Sequence, residues 1–87
     1  MSIQKGGGIG ENMMSVRYAV IFEQAEHNWA AYVPDLPGCI TTGSTLEETE
    51  NHIREAIEGY LKTLRELGDP IPHPTSVARE IEIQPAA

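Results

Sequence analysis

Apolar and polar positions along the chain set out a short series of elements. From Val16 to Glu23 the even positions Val16, Tyr18, Val20 and Phe22 are large and apolar, and Ala19 and Ile21 make the other face apolar too. A strand apolar on both faces is covered from both sides of its sheet. Gln24 to Asn28 is a polar connection of hairpin length. Trp29 to Val33 then reads as a second strand, antiparallel to the first. Pro34, Pro37 and Gly38 turn the chain: the two prolines fix φ and remove two donors, and the glycine admits backbone that larger residues resist. Ile40 to Thr42 is a short third strand, which Gly43 ends.

The helix has the strongest pattern. Thr45 with Glu48, or Ser44 with Glu47, has capping-box spacing, and the early glutamates suit the helix dipole. Apolar residues recur at Leu46, Ile53, Ala56, Ile57, Tyr60, Leu61, Leu64 and Leu67, a helical stripe. Gly68 stands where a left-handed terminal residue belongs, and Asp69-Pro70 stops continuation. Gly59 inside the helix marks close packing on the sheet or is simply tolerated. Pro70 to Pro74 predicts a stiff, extended crossing. Ala78 to Gln84 alternates, with Ile81 and Ile83 on one side and Glu80, Glu82 and Gln84 on the other, as in a half-exposed edge strand. Residues 1–14 hold four glycines and no periodicity, so they are expected to be a flexible N-terminal extension, with residues 15–87 a single domain.

The order β-β-β-α-β describes an α+β domain: a small, mostly antiparallel sheet with one helix on one face. One helix covers one face. The apolar reverse side, to which Ala30 and Tyr32 contribute, therefore demands other cover. A homo-oligomer, dimer or tetramer, is the economical answer, and a different protein is the next.

Composition sharpens this picture. With 87 residues, 40% of them apolar and 22% charged, the chain is an ordinary globular one with a small margin of stability. No apolar run approaches the roughly 20 residues of a membrane helix, and residues 1–14 lack the apolar centre of a secretory signal. The single cysteine suits a reducing, cytoplasmic setting. Thirteen carboxylates oppose six Lys and Arg, for a net charge of −7. Binding nucleic acid by counterion release needs clustered basic residues, which this chain does not offer; an acidic surface favours a basic partner.

Candidate chemistry is sparse. His27, His52 and His73 stand apart, without the paired spacing of a metal site. Cys39 lacks a neighbouring base, and Asp35 is expected to raise its pKa. Glu23, Glu80 and Glu82 are the carboxylates nearest to a two-metal nuclease pattern, but the centre of the first strand, Tyr18 to Phe22, carries none. Gly6-Gly7-Gly8 follows no strand and opens no helix, so it is no phosphate loop. The expectation is a protein without catalytic residues, bound metal or cofactor.

Three linked segments carry a resemblance: Tyr18 to Glu23, Trp29 to Cys39 (Trp-Ala-Ala-Tyr-Val-Pro-Asp-Leu-Pro-Gly-Cys), and Thr42-x-Gly-x-Thr45-Leu46-Glu47-Glu48. It extends through Asn51 and Glu55-Ala56-Ile57 to the Gly68–Pro72 exit. In this order the chain resembles the HicB-like antitoxins of type II toxin–antitoxin pairs. The resemblance implies a truncated ribonuclease H-like fold and a non-enzymatic protein that binds a HicA-like toxin, a small basic ribonuclease, and shields its catalytic histidine and RNA surface. Trp29, Asp35, Leu36, Pro37, Gly38 and Cys39 are then a signature turn and a possible partner-contact edge. Many such antitoxins add a C-terminal DNA-binding unit; with Ala87 last in the sequence, no direct DNA binding is expected. The alternative is an orphan oligomeric scaffold or regulatory protein with no toxin partner.

Overall fold

The computed structural model describes residues 15–86. The N-terminal extension expected over residues 1–14 lies outside them. The elements run β1 (Ile21–Gln24), β2 (Trp29–Tyr32), β3 (Ile40–Gly43) and α1 (Leu46–Leu67). The strands form one antiparallel sheet in the order β1-β2-β3. Register places Ile21 opposite Tyr32 and Tyr32 opposite Ile40; Phe22, Ala31 and Thr41 form the neighbouring row on the other face. This is the small α+β domain expected from the pattern, with two differences.

The first strand is shorter than the Val16–Glu23 run. Its ladder begins at Ile21 because β2 ends at Tyr32, and the chain beyond turns away at Val33-Pro34. Residues 16–20 therefore lack a pairing partner on β2. The second difference is larger: Ala78–Gln84 forms no strand, and residues 69–86 carry no regular element. Alternation reports a local preference for extended backbone, whereas a strand also needs a ladder partner, and this chain supplies none among its described residues.

The turn between β2 and β3 is two consecutive β-turns. Leu36 N–H donates to Val33 O (3.0 Å) and Cys39 N–H donates to Leu36 O (3.0 Å), while Val33 N–H donates to Cys39 O (3.1 Å) across the base. Pro34 and Pro37 each take the first central position, where a fixed φ helps and no donor is required. Gly38 has φ +83°, which the second central position of a type II turn demands. The double turn points Leu36 inward. Leu36, Ala31, Val33, Cys39 and Ile53 form the buried core, against which Tyr18, Val20, Phe22, Ile57 and Leu61 pack half-buried.

Helix α1 starts and stops on local signals. Thr45 Oγ1 accepts from Glu48 N–H (3.0 Å), and the Glu48 carboxylate accepts from Ser44 N–H (2.6 Å), one residue earlier than in a capping box. At the other end Gly68 adopts φ +76°, Gly68 N–H donates to Arg65 O and Asp69 N–H donates to Leu64 O, a Schellman motif. Gly59 is exposed, and a side chain there would meet open space, so close packing on the sheet is not its role. Gly59→Ala is therefore expected to raise stability by about 0.5–1 kcal/mol, read as a higher urea midpoint at unchanged slope.

Candidate partner-binding surface

Helix α1 covers only the face that holds Phe22, Ala31 and Thr41. The reverse face presents the cross-strand row Ile21, Tyr32 and Ile40, with Ala30 and Thr42 in the next row. Ile40 is 62% exposed and Tyr32 37%. Three large apolar side chains in register on an uncovered sheet face make a contact surface. Glu23 lies beside them, paired with Ala30, and adds negative charge at the margin.

The six signature residues do not converge on one spot. Trp29 sits at the opposite end of β2 from the turn, half-buried, and alternates onto the helix side with Ala31. Leu36 and Cys39 are core residues. Pro37 and Gly38 are exposed at the tip. Burial pushes the Cys39 thiol up, so it stays protonated at neutral pH; burial, rather than the charge of Asp35, is the cause.

Asp35 has a task that its neighbours in sequence do not reveal. Its Oδ2 accepts from the backbone N–H groups of Thr75 (2.9 Å) and Ser76 (3.0 Å), and its Oδ1 accepts from their hydroxyls (3.0 and 2.9 Å). Nearby, Tyr18 Oη donates to Pro72 O at 2.6 Å. Together these tie the proline-rich crossing over the double turn. Burial, reinforced by the negative charge of Asp35, raises the Tyr18 phenol.

The hydrogen bonds from Ser76 and Thr75 lower the Asp35 carboxyl from an ordinary 3.8 to about 2. A depressed carboxylate favours the docked state above its undocked pKa and loses that contribution as pH falls through the docked value. The clamp is therefore expected to hold down to about pH 4 and release toward pH 2, read as loss of protection at the Thr75 and Ser76 amides. Asp35→Asn should remove that acid transition. An unchanged transition would mean that another group controls docking.

Other polar groups serve the fold. His52 Nδ1–H donates to Thr42 O at 2.8 Å and ties α1 to the edge strand β3. Thr49, fully buried, donates its hydroxyl to Thr45 O (2.7 Å). The Ser44 N–H holds the Glu48 carboxyl below the usual carboxylate range. Among the described residues, no group of three or more His, Cys, Asp or Glu is placed to hold a metal ion. Glu80 and Glu82 lie on the unpaired, exposed C-terminal segment. No helix among the described residues is long and apolar enough to cross a membrane.

Comparison with known proteins agrees with this architecture. The family described as "HicB_like antitoxin of bacterial toxin-antitoxin system" matches residues 18–86. A UPF0150 protein of Thermoplasma acidophilum is 38% identical over 58 residues, covering 66% of this chain and 84% of its own length. A UPF0150 protein of Thermotoga maritima is 34% identical over 76 residues, 85% of this chain and 97% of that protein. The protein named Antitoxin HicB 2 of Photorhabdus laumondii is 35% identical over 60 residues, 64% of this chain, and the match spans 43% of that antitoxin. The double-turn signature and the extent of these matches lead to one conclusion: the chain belongs to the HicB-like antitoxin family.

Proposed function

We propose that this protein is an antitoxin that neutralises a HicA-type, mRNA-cleaving toxin by steric occlusion rather than by turnover. The observation that carries the reading is the uncovered Ile21–Tyr32–Ile40 row on a protein of net charge −7. An acidic surface around an apolar patch suits a small basic ribonuclease: charge brings the two together, and apolar burial holds them. In this reading the protein works in the cytoplasm as a homo-oligomer, makes no DNA contact of its own, and uses a truncated ribonuclease H-like frame purely as a binding surface.

The test is direct binding to a small basic ribonuclease of the HicA type, sought in the gene beside this one. Calorimetry should give a defined complex whose association slows with added salt. Ile40→Asp and Tyr32→Asp should each weaken it at least tenfold. The change at Ile40, 62% exposed, should do so with little effect on the urea midpoint, whereas that at Tyr32, 37% exposed on the central strand, should also lower the midpoint modestly. Unchanged affinity in both variants would remove the reverse face from the interface. Absence of any complex would overturn the antitoxin reading.

A further inference from the structure

The segment 77–86 lies free of its own domain. All ten residues are exposed, with Val77 at 76%, Ile81 at 74% and Ile83 at 72%. Its apolar residues occupy alternate positions, with Glu80 and Glu82 between them. That is the pattern of a strand with one face to bury, and its own chain does not bury it. The root of this arm is nevertheless fixed. Asp35 grips Thr75 and Ser76, Tyr18 grips Pro72, and Pro70, Pro72 and Pro74 stiffen the approach. The result is an elongated molecule, with a radius of gyration of 16.6 Å where a compact chain of this length has about 12 Å.

The same molecule carries a matching vacancy. Strand β1 is an edge of the described sheet, and its lead-in from Val16 to Val20 extends that edge without a partner on β2. Between this edge and α1 runs an open groove of about 630 Å³ with an apolar floor of Val20, Phe22, Ile53 and Ile57; the charges beside it balance, Arg17 and Arg54 against Glu50 and Glu58, and Arg54 pairs with Glu50 at 3.7 Å. The geometry points to strand exchange: residues 77–86 of one copy pair along the β1 edge of a second copy and set Ile81 and Ile83 into its groove. The exchange is reciprocal, so the dimer is two-fold and closed.

Two observations favour a second copy as the occupant. The clamp directs the arm off its own domain past the double turn. The lengths agree: ten extended residues reach about 33 Å, and the nine from Val16 to Gln24 about 30 Å. Exchange also adds the fourth strand to each sheet and blunts an exposed edge that would otherwise invite unspecific pairing. This inference deepens the homo-oligomer reading above and is independent of the toxin.

Sedimentation of the full chain, without any partner, against Ile81→Asp/Ile83→Asp tests it. The parent should sediment at twice the chain mass with its 78–84 amides protected from exchange. The double variant should raise the dimer dissociation constant about 100-fold or more, since two side chains lose their apolar site. Its far-UV dichroism should be unchanged, because both positions are exposed in the single chain. A variant that dimerises as tightly as the parent would overturn strand exchange while leaving self-association standing. A parent that stays monomeric at high concentration would overturn both. Protection of residues 78–84 only after adding the ribonuclease would assign the arm to that partner and contradict the second copy.

Discussion

Leu36→Ala is expected to remove about 2–5 kcal/mol of stability. Leu36 is fully buried and stands at the junction of the two β-turns, accepting from Cys39 and donating to Val33 through its backbone. Its side chain fills the space between the turn and the Ala31, Val33, Cys39 and Ile53 cluster. The flanking turns are stiffened by Pro34 and Pro37, so the backbone cannot collapse into the void, which places the cost toward the upper part of the range. Small domains have total stabilities near the low end of about 5–15 kcal/mol. The variant should thus lose most of its cooperative urea transition. Leu36→Met, which conserves volume, should cost less than about 1.5 kcal/mol. If Leu36→Ala stayed within a kilocalorie of the parent, the double turn would not be the keystone of the core.

Gly43→Ala is the second. Gly43 ends β3 where the sheet meets the first turn of α1. A Cβ there would fall against Thr49 Oγ1, 2.8 Å from Thr49 N and 3.0 Å from Thr49 Cα. Two of these three atoms belong to the helix backbone, and the hydroxyl is itself committed to Thr45 O. The start of α1 must therefore move away from β3, loosening the His52 to Thr42 bond that joins them. The expected cost is about 1–3 kcal/mol, as for overpacking elsewhere. Thr49→Ala in the same chain should recover only part of it, because the contact with Thr49 N remains. A Gly43→Ala midpoint equal to the parent's would mean that helix and strand are not held in this close approach.

The parts legible in the sequence are those that local rules govern. The helix and both its ends follow from Thr45, Glu48 and Gly68, whose partners lie within five residues. The turn follows from Pro34, Pro37 and Gly38. The exposed apolar row was also readable, because Tyr32 and Ala30 alternate away from Ala31 whatever the tertiary context. What could not be read depends on distant partners. The Asp35 clamp joins residues 40 apart in sequence, and nothing near Asp35 announces Thr75 and Ser76. The same gap explains why Val16–Val20 and Ala78–Gln84 have strand pattern without strand pairing. The candidate contact edge at 35–39 looked uniform in sequence, yet the double turn sends Leu36 and Cys39 inward and leaves only Pro37 and Gly38 at the surface.

Titration of a HicA-type ribonuclease with this protein, with mRNA cleavage as the readout, tests the central claim most directly. Inhibition by occlusion predicts that cleavage falls linearly and ends at one chain per toxin, with Ile40→Asp shifting the curve to excess protein. Cleavage that continues at full rate in the presence of excess protein would contradict it.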